Sequence, residues 1–561
     1  MTQITFPEIQ VAAPDMEATR QAYEQLHQSY DAAENLDDAL EVLQRWDQLR
    51  RQIDTWQAVT ELRFHQDTRD EQAKQARDHC DQLRPKLTEL SVNLKRKLLQ
   101  DPQRPALEER MGKQAFSLWE SETTTYEPVI EEDLVQESRL NAQYTELLAG
   151  AKLSFQGQTS NLSEIVKYRE DPDRNVRQAA DQVRWQWFED HRETLDDIFD
   201  QLVTLRDGMA QKLGFDNFVD LGYQRMTRVD YNQQDVARYR EMVLAEVTPF
   251  GEELRNHQAR QLGIEKTMAW DEAVYFPQGN PTPGNDYDHM IRQAHAMFAD
   301  IGYGLDDFFQ RMVDGQFMDL KNREGKAGGG FCTSFDMYGM PYIFANFNGT
   351  RGDVEVFTHE MGHAFQCYMS RHQPWVEYLW PTYESCEIHS MGLEFLTWPT
   401  MEKFFGERAD DFRQLHLASS LIFLPYGVAV DHFQHLVYEN PTASPAERHA
   451  MWQDLETQYQ PWLDYGDLPH AGQGGRWQSQ RHIYASPFYY IDYTLAQTCA
   501  LQFWLRAAHD RDQAMKDYTH LCSLGGQAPF QELVKAASLV SPFEDGCLSG
   551  VVKEARQWLD I

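Results

Sequence analysis

A chain of 561 residues with 42% hydrophobic content can bury a large core, as one two-lobed body or as two to four conventional domains. Its 52 Lys and Arg stand against 88 Asp and Glu, and a formal net charge of −36 argues against a nucleic-acid backbone or an anionic membrane as partner. The seven cysteines are Cys80, Cys332, Cys367, Cys386, Cys499, Cys522 and Cys547, an odd number with no Cys-x-x-Cys pair. They predict free thiols in a reducing cytoplasm, and Met1 to Asp15 has neither the basic start nor the apolar core of a secretory signal.

From Met16 to Leu99 apolar residues such as Leu40, Val42, Leu43, Trp46 and Leu49 recur at helical spacing between charged ones, which predicts antiparallel helices. The seam never holds a strict heptad for long, so a coiled-coil scaffold is not expected. Asp101-Pro102-Gln103-Arg104-Pro105 breaks the pattern and predicts an N-terminal helical lobe at 1–115, with the remaining region at 116–561. Lys152 to Gln156 followed by Gly157 predicts a short hairpin strand, and Asp173 opens further long helices through Gly214. Pro277, Pro281, Pro283 and Gly284 mark a loop between lobes. The stretch from Phe317 to Asn348 has the alternation and aromatics of a small sheet, with Gly328-Gly329-Gly330-Phe331 inside it. An exposed edge there would pair with the backbone of an extended peptide largely without regard to its side chains, which makes Gly329 and Gly330 candidate substrate-binding residues. Leu417 to Val430, the most apolar later stretch, is short and contains Pro425, so no membrane span is expected.

His359-Glu360-Met361-Gly362-His363 is the segment richest in chemistry. Residues four apart share a helix face, so His359 and His363 can offer two imidazole nitrogens to one zinc ion with Glu360 placed as base for an attacking water. A catalytic zinc needs a third protein ligand. The metzincin continuation is excluded, because Gln366 and Met369 stand where it requires Gly and His. The run from Tyr383 to Glu394 predicts a second helix with Glu384, Glu387 and Glu394 on one side and His389 pointing away, so its carboxylates are the candidates. Cys386 would face elsewhere.

The negative charge that develops on a peptide carbonyl during attack also calls for neutral or cationic donors opposite the metal. His470-Ala471-Gly472-Gln473-Gly474-Gly475-Arg476-Trp477, followed by Arg481 to Tyr493, contains such groups. Packing in an aromatic core is the plain alternative for Phe488, Tyr489 and Tyr493.

Three stretches, Pro341 to Thr350, Phe357 to Phe365 and Glu387 to Met391, resemble the M3 family of zinc metallopeptidases, and within it the oligoendopeptidase F branch. The likeness extends over most of residues 120 to 550. It implies a mainly α fold, a two-lobed helical ellipsoid with a deep central channel and a small β-sheet near the zinc site. It implies one Zn2+ per chain, with Glu387 as third ligand and Glu384 as competitor, and His482 and Tyr493 as catalytic donors, with Tyr489 and Tyr490 as alternatives. Gly472, Gly474 and Gly475 then suit a mobile loop over substrate, although a surface turn has the same composition. The activity implied is endopeptidase cleavage of short unfolded oligopeptides, without nucleic acid, membrane or an obligate protein partner. The rivals are a zinc carboxypeptidase of similar build, gripping a terminal carboxylate through Arg476 or Arg481, and a non-catalytic peptide binder, which has no need of Glu360.

Overall fold

Helices begin where the sequence supplies caps. The Asp15 carboxylate accepts from the Ala18 N–H at 2.8 Å and opens α1 (Met16–Asp31), and Asn35 accepts from Asp38 at 3.0 Å and opens α2 (Leu36–Gln66). Asp70 caps α3 (Glu71–Leu99) in the same way. This computed structural model describes residues 4–284, 287–323 and 325–561. Leu43, Trp46, Leu94 and Leu98 form the core of the N-terminal helices, and it takes in Trp119 and, from far downstream, Trp375 and Tyr378.

β1 (Leu153–Phe155) and β2 (Gln158–Ser160) form the expected antiparallel hairpin, and Asp173 caps the helix Arg174–Asp190. The segment 277–284 has neither helix nor strand. A second sheet holds β3 (Met318–Lys321), β4 (Phe331–Phe335) and β5 (Met340–Phe347) in the order β3-β5-β4. β3 runs parallel to β5, and β4 antiparallel with Phe331 opposite Phe344, which leaves β4 at the edge.

β5 leads directly into α4 (Gly352–Ser370), and the Asp353 carboxylate turns the chain by accepting from the N–H groups of Asn348 and Gly349 at 2.9 and 2.6 Å. Next come α5 (Tyr383–Leu396), α6 (Ala409–Glu439), which continues through Pro425, and α7 (Tyr490–His509). They share one apolar core. α4 and α5 meet at Gly362, where a Cβ would fall 2.3 Å from the His389 carbonyl oxygen and 2.6 Å from the Ser390 Cα. Only glycine lets the two backbones come this close, and that approach sets the distance between the side chains they carry. Among the described residues no helix is long and apolar enough to cross a membrane.

Candidate metal and active site

His359 and His363 stand one turn apart on α4 with ring centroids 5.0 Å from each other. Their Nε2 atoms lie 3.2 and 3.3 Å from one oxygen, Oε2 of Glu387 on α5. One ligand atom from each of the three residues falls within a 4.8 Å set. Two imidazole nitrogens and a carboxylate oxygen converging in this way match the donor set of a three-ligand metal site that keeps a position open, so the residues fit a zinc ion. Burial raises the Glu387 carboxyl, but the two imidazoles outweigh it and hold the group well below its ordinary range, anionic as a ligand must be. Ser390 Oγ donates to Glu387 Oε2 at 2.9 Å, and Tyr489 OH donates to Oε1 at 2.6 Å. Burial lowers the His359 imidazole, while the Glu387 and Glu394 carboxylates lift it well above its usual value.

The other two carboxylates of α5 separate. Glu394 faces the site and accepts from His359 Nδ1 at 2.8 Å. Glu384 turns away from the histidines, accepts from Thr382 Oγ1 at 3.0 Å, and lies in a buried group with Asp492 and Arg228. His389 is fully buried and is not one of the three converging donors.

Glu360 is 5% exposed, and its Oε2 has no hydrogen-bond partner. Burial raises this carboxyl and the two neighbouring imidazoles lower it, with burial prevailing. Together with His359, His363 and Glu387, it lines a cavity of about 560 Å³. Leu118 and Glu122 from the helix Lys113–Thr124 line this cavity, as do Gly330 to Ser334 at the β4 edge, Tyr383, Tyr489 and Tyr493. A Cβ on Gly330 would sit 3.4 Å from Glu360 Oε1, so the bare backbone there keeps the approach to the carboxylate open. Gly329 is set back from the cavity lining, its carbonyl held by Asn346 at 2.8 Å.

The downstream segment brings His482 behind Tyr493, with His482 Nε2 3.4 Å from the hydroxyl, and of the two only Tyr493 is among the cavity-lining residues. Tyr490 is not among the cavity-lining residues and packs toward Phe423 and Tyr426. Tyr426 OH donates to Gln480 Oε1 at 2.9 Å, which turns the Gln480 amide nitrogen toward His482 Nδ1 at 2.7 Å. With Nδ1 accepting, the imidazole proton sits on Nε2, facing Tyr493. Burial lowers His482 to about 4, so it is a neutral donor at ordinary pH.

The glycines of 472–475 differ from the substrate-covering loop expected of them. Gly474 and Gly475 are buried, and a Cβ on Gly474 would lie 2.3 Å from the His449 carbonyl oxygen. Gly474 packs tightly against the helix Pro445–Tyr459 and Gly475 against the His470 ring, both outside the cavity lining. Sequence reasoning also passed over Gly362, Gln480 and Tyr426. Of these only Gly362 carried a local signal, since a glycine inside a helix costs about 1 kcal/mol relative to alanine and asks for a packing reason.

Residues 167–552 match the model of peptidase family M3, and residues 6–126 match the model of the peptidase M3 N-terminal domain. The chain belongs to peptidase family M3. Among solved structures, this M3 peptidase is similar to Pz peptidase A bound to an inhibitor, at 45% identity, 99% of each chain covered and a TM-score of 0.96. It is also similar to a protein assigned as an oligoendopeptidase F, at 46% identity over 99% of each chain with a TM-score of 0.97. A Bacillus anthracis protein assigned to the same class shares 42% identity over 99% of this chain and 98% of its own, with a TM-score of 0.91. No curated protein matches the chain.

Proposed function

We propose that this M3 peptidase is a zinc-dependent oligoendopeptidase that hydrolyses internal bonds of short unfolded peptides in the cytoplasm. The observation that carries the reading is Glu360, a buried carboxylate with one oxygen unpartnered, beside three converging metal donors in a cavity bordered by a sheet edge. When bound by His359, His363 and Glu387, zinc supplies Lewis acidity for water activation and carbonyl polarisation. Glu360 takes the proton of the attacking water and returns it to the leaving amine. Tyr493 OH and the Nε2–H of His482 donate to the carbonyl oxygen as its charge develops. Tyr489 keeps Glu387 in place through its 2.6 Å hydrogen bond. The open side of β4 pairs with peptide backbone, which gives affinity with little side-chain selection.

Unpaired cysteines at all seven positions support a reducing compartment. The test uses purified protein and a peptide blocked at both ends. About one zinc per chain, internal cleavage, loss of activity to a chelator and its return with zinc are expected. Activity only on peptides with a free carboxyl end, released one residue at a time, would replace this reading with a carboxypeptidase. Zinc binding with no turnover would leave a peptide binder.

A further inference from the structure

The proton positions behind His359 can be assigned from the far end of a buried chain of side chains. His359 Nδ1 lies 2.8 Å from Glu394 Oε1, and the other oxygen of Glu394 lies 2.8 Å from His416 Nε2 on α6. His416 Nδ1 in turn lies 2.9 Å from the indole nitrogen of Trp398. Trp398 and His416 are 6% and 5% exposed, which leaves little room for water to substitute for either partner.

An indole nitrogen can only donate. His416 Nδ1 therefore accepts, and the His416 proton is on Nε2, donated to Glu394. The Glu394 carboxylate accepts on both oxygens, so His359 carries its proton on Nδ1. The lone pair of His359 is then on Nε2, the atom turned toward Glu387 and His363. The opposite tautomer would present an N–H to the metal.

We propose that Glu394 fixes the metal-binding tautomer of His359, and that Trp398 is a positioning residue which, by keeping His416 as an Nε2–H donor, aims the Glu394 carboxylate at His359 and so sets how tightly the site holds its metal. This rests on the reading of His359, His363 and Glu387 as a metal site. The rings on either side hold the geometry, with His416 stacked on Phe412 at 10° and 5.6 Å and Trp398 tilted on Phe395 at 5.1 Å.

The relay makes a prediction of sign that ordinary packing does not. In Glu394→Gln the amide has one oxygen and one NH2. If the oxygen faces His359, the NH2 faces His416 Nε2 and forces the His416 proton onto Nδ1, against the indole N–H. If the NH2 faces His359, the ligand takes the wrong tautomer. Trp398→Phe removes the opposing donor and allows the first arrangement. Trp398→Phe should thus weaken zinc binding in the parent and strengthen it in Glu394→Gln.

The measurement is the zinc dissociation constant from competition with a chromophoric chelator, with circular dichroism confirming that each variant is folded. Glu394→Gln should weaken zinc by roughly 10- to 100-fold, and Trp398→Phe alone by about 10-fold, the lower end of the same range. The double variant should bind at least about 5-fold more tightly than Glu394→Gln, a coupling expected of neighbours in one network. His416→Gln, whose amide can both accept from Trp398 and donate to Glu394, should stay within about 3-fold of the parent, while His416→Leu loses about 10-fold or more. Trp398→Phe that leaves zinc affinity unchanged in both backgrounds, or weakens it in both, overturns the relay. A parent that binds no stoichiometric zinc instead overturns the metal site beneath it.

Discussion

Replacing Gly362 by alanine tests whether the crossing of α4 and α5 sets the metal site. On helix propensity alone the change should stabilise α4 by about 1 kcal/mol. The structure predicts the opposite, because the new Cβ would lie 2.3 Å from the His389 carbonyl oxygen and 2.6 Å from the Ser390 Cα, both backbone atoms that no rotamer change can move. Ordinary contact requires the two helices to separate by about 1 Å, and overpacking of this kind costs about 1–3 kcal/mol. His389 is two residues from Glu387, so the displacement is carried to the ligand whose oxygen now lies 3.2 and 3.3 Å from the two imidazoles. An offset near 1 Å in a catalytic constellation costs about 10²-fold in rate. Gly362→Ala should therefore melt earlier, bind zinc about 10-fold more weakly or worse, and lose about 10²-fold in kcat. Gly392→Ala on α5 is the matched control, since its Cβ would meet only the Phe503 and Tyr518 rings, at 3.4 and 3.5 Å. It should retain zinc and activity and melt no earlier than the parent. Thermal melting, chelator competition and turnover of a quenched peptide check all three quantities. Native zinc affinity and turnover in Gly362→Ala would refute the claim that this crossing positions Glu387.

The remaining predictions concern neighbouring groups. Glu360→Gln should keep its zinc and its melting temperature while kcat falls by at least about 10²-fold, read by metal analysis and steady-state kinetics. Tyr493→Phe should lose roughly 10- to 1000-fold in kcat with little change in KM, whereas Tyr490→Phe, whose ring lies outside the cavity lining, should be near silent. Tyr489→Phe, which frees Glu387 Oε1, should show in zinc affinity as well as rate. Glu384→Gln should retain zinc. Burial, opposed by the Arg228 guanidinium and aided by the Asp431 and Glu387 carboxylates, holds Asp492 up to about 7. A carboxyl raised in this way favours the folded state while protonated, so that contribution is fully present below an unfolded pKa near 4 and is lost as pH rises through 7. Parent melting temperatures should fall from pH 5 to pH 8.5, and Glu384→Gln, which removes a second carboxyl raised by burial and by Asp492, should fall less.

The sequence showed what lies on one helix more readily than what lies between helices. His359, Glu360 and His363 follow from the four-residue period alone, and the edge position of β4 was foreshadowed by the alternation from Phe317 to Asn348. Glu384, Glu387 and Glu394 share a helix side, but local period cannot tell which of them meets the imidazoles. The contact at Gly362 decides it. His416 lies on another helix and Trp398 in a short turn before it, and neither has a neighbouring residue that announces its partner. Neither a covering loop nor a surface turn describes Gly474 and Gly475, because the close contacts of Gly474 with His449 and of Gly475 with the His470 ring are invisible in the composition of the segment.

The stretch joining the two ligand helices also anchors the N-terminal helices. The Glu377 carboxylate lies within it, is 5% exposed, and receives the Arg50 guanidinium and, at 2.6 Å, the Trp119 indole N–H. Tyr378 beside it donates to the Met111 carbonyl at 2.8 Å. A chain shortened to begin after Trp119 would lose both donors and would uncover Trp375 and Tyr378, which the N-terminal helices bury. The segment between the two ligand helices therefore shares its packing with the N-terminal helices. Its inheritance is tied to residues it does not use in chemistry, and an engineered fusion or circular permutant must carry Arg50 and Trp119 along with the metal ligands.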